Sequence, residues 1–173
     1  MQLVGTRNFR SILANPVMVH GDIIAVFDDG GYAVEDYLPL QRMVVDLQQE
    51  YPDGIGCLVV IPEPSKIPPE EVRSEINRVQ SAIRVRCLCW LVEAKGFRGA
   101  LVRSVLSGLR IAQRRPYPTH VANNLGEALR WIFPHLREGA SRMDHEIGAA
   151  ELAFLQHRRI LAGAPEEEQQ PSP

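Results

Sequence analysis

Two stretches decide the fold: Ile55-Gly56-Cys57-Leu58-Val59-Val60-Ile61 and Val85-Arg86-Cys87-Leu88-Cys89-Trp90-Leu91-Val92. Both are almost free of polar side chains. A short, continuous apolar run of this kind reads as a strand buried on both faces. Such strands belong to parallel or mixed sheets whose faces are covered by helices. The flanks agree: Pro62-Glu63-Pro64-Ser65 ends the first run, and Gly96 follows the second.

Outward from these strands the period changes from continuous to helical. Between them, Pro68-Pro69-Glu70-Glu71 has the form of a helix start, with proline tolerated and acids favoured in the first turn. Val72, Ile76, Val79 and Ile83 follow at spacings of four, three and four. Upstream, Tyr37, Leu40, Val44, Leu47 and Tyr51 make a similar stripe, stopped by Pro52-Asp53-Gly54. Before that stripe, residues 17–27 read as a strand, a tight turn and a second strand, closed by Asp28-Asp29-Gly30-Gly31. Downstream of the second apolar run, Phe97, Leu101, Val105 and Leu109 mark a third helix. Thr119-His120-Val121-Ala122 then reads as a short edge strand. Asn124-Leu125-Gly126-Glu127 fits an asparagine form of the capping box, and Leu125, Leu129, Ile132 and Leu136 line the helix behind it.

The resulting order is β-β-α-β-α-β-α-β-α. It predicts an α/β fold with a mixed, mostly parallel sheet of four to five strands and about four helices. Residues 17–137 form this core. A lead of residues 1–16 precedes it. Residues 139–162 form a C-terminal amphipathic helix, with Met143, Ile147, Ala150, Phe154 and Leu161 on one face. Residues 163–173 are acidic, proline-bearing and poor in apolar side chains, which predicts disorder.

Composition bounds the function. The chain has 173 residues, 45% of them hydrophobic, with 19 Lys and Arg against 21 Asp and Glu. A net charge of −2 disfavours a globally basic nucleic-acid binder. No apolar run approaches the roughly 20 residues of a membrane span, and the N-terminus has no long apolar core of a signal peptide. Cys57, Cys87 and Cys89 all lie in apolar stretches. They read as small buried hydrophobes of a reducing, cytoplasmic compartment, against a redox or metal role. No cluster of His and Cys completes a zinc site. The five histidines, His20, His120, His135, His145 and His157, are scattered over different elements. No nucleophile, base and orienter come together in a recognised spacing, and Gly96-Phe97-Arg98-Gly99 lacks the spacing of a dinucleotide fingerprint. The chain is therefore expected to be non-catalytic, with no cofactor and no metal.

The order of elements resembles the STAS domain, the family of sulfate transporters and anti-sigma-factor antagonists, over roughly residues 17–136. Gly96-Phe97-Arg98-Gly99-Ala100-Leu101-Val102-Arg103-Ser104-Val105-Leu106 is similar to the family's third helix, and Glu127-Ala128-Leu129 to its last. The resemblance implies a bacterial regulatory or scaffolding module that signals by binding other proteins. In that family an Asp-Ser-Ser/Thr-Gly type sequence after the third strand carries a phosphorylated Ser or Thr. Here Glu63-Pro64-Ser65-Lys66 stands in its place, so Ser65 is the candidate phosphosite, and the family's glycine is missing.

The sharpest charge asymmetry is the run Lys95, Arg98, Arg103, Arg110, Arg114 and Arg115, which has no acid within it. Arg103 and Arg110 are two helical turns apart and share a face. That face is either a solvated surface or a dock for an acidic partner. Ser65, Arg98, Arg103 and Arg110 are thus the expected partner-binding residues. The alternative function is binding of a lipid or small anionic ligand through the basic third helix and the apolar space beneath it. The C-terminal helix either packs on its own domain or forms a homodimer.

Overall fold

The computed structural model describes residues 17–28, 30–31, 33–63, 65–66, 68–112, 115–136 and 143–161. The expected N-terminal lead and acidic tail lie outside the described residues, as do the side chains of residues 98, 109–112, 143–144 and 159–161.

The chain is an α/β protein built on one five-stranded sheet. Strands β1 (Val17–His20) and β2 (Ile23–Phe27) form a hairpin. They are followed by α1 (Tyr37–Glu50), β3 (Ile55–Ile61), α2 (Glu70–Ala82), β4 (Val85–Val92), α3 (Gly96–Ala112), β5 (Thr119–Ala122), α4 (Leu125–Leu136) and α5 (Met143–Leu161). The strands lie side by side in chain order, β1-β2-β3-β4-β5. β1 is antiparallel to β2, and all other neighbours are parallel. The two continuous apolar runs, β3 and β4, occupy the centre of the sheet, where both faces are covered.

Strand order fixes which face each helix takes. From β2 to β5 the sheet grows in one direction, so right-handed crossovers place α1, α2 and α3 on the same face. That face holds Ile24, Ile55, Cys57, Leu88 and Trp90 beneath Tyr37, Leu40, Val44 and Leu47 of α1 and Val72 of α2. The opposite face holds Ile23, Ala25, Phe27, Leu58, Val60, Cys87 and Cys89 beneath α4 and α5. Alternation of side chains along β2 and β3 makes the two cores distinct. β4 departs from strict alternation at its start. Ile55 pairs with Val85 and Gly56 with Cys87, so Arg86 is the extra residue of a bulge. Arg86 is exposed there and donates from Nη1 to the Leu136 carbonyl at 3.3 Å, satisfying a free acceptor at the end of α4.

The apolar face of α5 is buried on its own chain. Ile147, Ala150 and Phe154 join the α4 core, and the Phe154 ring lies 5.2 Å from that of Phe27. Arg158 pairs with Glu93, just beyond β4. Leu152 and Leu155 point outward from the same helix.

Candidate functional site

Helix α3 is placed by its first turn. Gly96 has φ +60°, a conformation that costs a side-chain-bearing residue energy. Gly99 then passes so close to the end of β4 that a Cβ there would lie 1.9 Å from the Ala94 carbonyl oxygen. The same carbonyl accepts a hydrogen bond from Arg103 Nη1 at 3.2 Å. These contacts rotate the helix against the expected orientation. Arg103 folds back, half-buried, onto the β4–α3 turn. The stripe Phe97, Leu101 and Val105 faces outward, at 83%, 56% and 53% exposure, while Val102 and Leu106 are turned in.

Because α3 turns only part of its apolar surface inward, a cleft of about 780 Å³ opens between it and α2. Its floor is Cys57, Val59 and Ile61 of β3 with Trp90 of β4, and its walls include Ile76 of α2 and Leu106 of α3. This size falls within the range of small-molecule pockets, about 300–1,000 Å³. One end of the cleft is bordered by Asp28, Ser65 and Lys66, beyond the ends of β2 and β3. Toward the Gln80–Ile83 end of α2 stands Arg115, half-buried. Arg115 Nη1 donates to Gln80 Oε1 at 2.6 Å and to the Tyr117 hydroxyl at 3.0 Å. Its guanidinium carbon lies 5.4 Å from the centre of the Trp90 ring and 5.9 Å from that of Tyr117. Two ring faces and two hydrogen bonds therefore hold this cation in place. Burial raises the Tyr117 hydroxyl above its ordinary pKa, with Arg115 opposing. In the floor, burial pushes the Cys57 thiol up to about 12, with Cys87 adding and Arg115 opposing, so the thiol is neutral and inert.

The expected site residues fall in different places. Ser65 is half-buried at the edge of the cleft beside Lys66. It lies five positions before α2 begins and is separated from that helix start by Pro68 and Pro69, so it does not sit in the first turn. Arg103 holds the turn before its own helix. The side chains of Arg98 and Arg110 lie outside the described residues. The residue that spacing passed over is Arg115. It belongs to the basic run but follows the helix, so no helical period points to it. The available signal was Trp90, a large ring in an otherwise aliphatic strand, with a basic-aromatic pair just before the next strand.

On the other face, β5 and α4 carry a polar cluster. His120 Nε2 lies 3.2 Å from Glu127 Oε1, and the His120 ring stacks on Trp131 at 5.1 Å. Trp131 in turn packs on His135 at 4.3 Å. Glu127 Oε2 accepts from the Asn123 backbone N–H at 2.9 Å and from Asn123 Nδ2 at 3.1 Å. The Asn124 side chain caps α4 as the sequence predicts, accepting from Glu127 N at 2.8 Å. The Glu127 carboxylate reaches one residue further back than a capping box requires, to Asn123. These contacts terminate a helix and order an edge strand.

Among the described residues no three His, Cys, Asp or Glu side chains converge as metal ligands. No helix among them is long and apolar enough to cross a membrane. No protein-family model, curated protein or solved structure matches the chain.

Proposed function

We propose that the chain is a non-catalytic, STAS-like regulatory module whose docking face is the outer side of α3. One observation carries this reading: Phe97, Leu101 and Val105, spaced by four, form a continuous apolar ridge open to solvent. Scattered exposed apolar residues need no explanation, but a ridge of three along one helix does. The element order and the Gly96-Phe97-Arg98-Gly99 helix start support the STAS-like part of the reading. The three buried thiols suit a reducing, cytoplasmic setting.

The chemistry of the partner follows from the ridge and its flanks. α3 contains Arg98, Arg103 and Arg110 and no acid, and Lys95 precedes it. The complementary occupant is a protein segment with an apolar stripe bordered by Asp or Glu, docking helix against helix. Charge reversal at Arg103 is a poor test, because Arg103 supports the β4–α3 turn. Phe97 is the discriminating position, since it is the most exposed of the three and, unlike Leu101 and Val105, does not line the cleft between α2 and α3. A discrete partner retained by the wild-type protein and by Leu152→Ser, and lost with Phe97→Ser, supports the reading. A partner that Phe97→Ser and Val105→Ser both retain sinks it.

A further inference from the structure

The cleft calls for its own occupant. An open cleft of about 780 Å³, lined mostly by apolar side chains over a strand floor, has the form of a small-molecule site. Its floor runs from Cys57 to Ile61, about 13 Å at the strand rise of ~3.3 Å per residue. The space is thus elongated and mostly apolar, with Trp90 in its floor and Tyr37, Asn77 and Gln80 also lining it.

The cations that border it are not equivalent. Lys66 and Arg73 are exposed, and their charges are solvated. Arg115 is half-buried, keyed to Gln80 and Tyr117 and stacked on Trp90. A half-buried guanidinium at the edge of an apolar space attracts the charge of a carboxylate or phosphate. From this juxtaposition we infer that the α2–α3 cleft binds a single-chain amphiphile, its chain along Val59 and Trp90 and its anionic head on Arg115. The cation is supplied by the α3–β5 connection and not by the basic face of α3. Leu101 and Val105 belong to both the ridge and the cleft lining, but Phe97 belongs only to the ridge and Arg115 only to the cleft, so the two readings are tested at different residues.

The probes are decanoate and decyl alcohol, used below aggregation and titrated calorimetrically into the full chain. Decanoate binds the wild-type protein one to one and at least about tenfold more tightly than the alcohol, the effect of a charge-assisted hydrogen bond. Arg115→Met abolishes that preference and leaves alcohol binding in place. A second measurement does not depend on altering Arg115. In Trp131→Phe the remaining tryptophan is Trp90, and decanoate shifts its emission. The proposal is overturned if neither probe binds the wild type, if Trp90 emission ignores decanoate, or if the carboxylate preference survives in Arg115→Met. Sedimentation with anionic phospholipid vesicles without decanoate binding also overturns it, because it assigns the apolar surface to a membrane. Failure here leaves the Phe97 result untouched, so the two readings fail separately.

Discussion

Gly99 and Ala94 touch through their backbones: a Cβ on Gly99 would lie 1.9 Å from the Ala94 carbonyl oxygen. That oxygen also receives the Arg103 guanidinium at 3.2 Å. Two residues of one helix turn thus converge on the carbonyl two residues before the helix. The contact sets how α3 rides on the sheet, and with it both the outward ridge and the inward cleft.

A methyl group at position 99 must push α3 off β4. Gly99→Ala is expected to lose about 2 kcal/mol through overpacking, although alanine is the better helix former. Gly108 is the internal control, because nothing lies within 4 Å of a Cβ there. Gly108→Ala is expected to gain up to about 1 kcal/mol from helix propensity alone. Urea midpoints of the two variants should move in opposite directions. Equal shifts would remove the close contact as the determinant of helix placement.

The α4 cap makes a pH-dependent contribution. The Glu127 carboxyl is held below its ordinary value of 4.5, first by the Asn123 backbone N–H and then by the Asn123 side chain and His120, with partial burial opposing. The folded state therefore binds this proton more weakly than the unfolded chain does. The stabilisation is complete above the ordinary carboxyl value and is lost as pH falls through the folded one. Glu127→Gln should be less stable than wild type at neutral pH, and the difference should shrink in acid. Asn124→Ala removes the other half of the cap and should cost about 1 kcal/mol.

Much of the fold was legible because burial on two faces leaves a strand with nothing but apolar positions. β3 and β4 read this way, and Tyr37, Leu40, Val44 and Leu47 read as one face of α1 because they recur at spacings of three and four while most other positions are polar. α3 defeats the same logic. It carries apolar residues at 97, 101 and 105 and again at 102 and 106, so two adjacent ridges compete for the sheet. The choice is made by Gly99 meeting Ala94 and by Arg103 folding inward, contacts that no period encodes. The bulge at Arg86 and the Arg115–Trp90 stack are likewise set between strands or across a helix connection. Position in the basic run was visible, but the partner ring 25 residues upstream was not.

The cysteines make a separate prediction. Cys57, Cys87 and Cys89 are free and buried, and burial pushes each thiol up to about 12. Neutral, enclosed thiols are poor nucleophiles. Native protein should therefore release almost no chromophore from an aromatic disulfide reagent at mildly alkaline pH, and three equivalents once denatured. Fast reaction of one thiol in the native state would show that the cleft floor or the α4 core opens far more often than this packing allows.

His157 links α5 to acid. Its side chain is buried beside Phe27, with ring centres 6.0 Å apart, and its Nε2 has no hydrogen-bond partner among the described residues. Burial holds its pKa below the ordinary 6.5. The folded state thus resists a proton that the unfolded chain accepts. For a base lowered in this way, stability is complete above the unfolded value and falls as pH drops below it toward the folded one. Wild-type protein should lose stability as pH falls below the ordinary histidine value of about 6.5, with α5 exchanging amide hydrogens faster as it does so. His157→Phe keeps an aromatic ring against Phe27 and removes the titrating nitrogen, so its urea midpoint should change less across the same window. If the two proteins lose stability in parallel, the acid sensitivity lies elsewhere, and Arg158–Glu93 is the next pair to test.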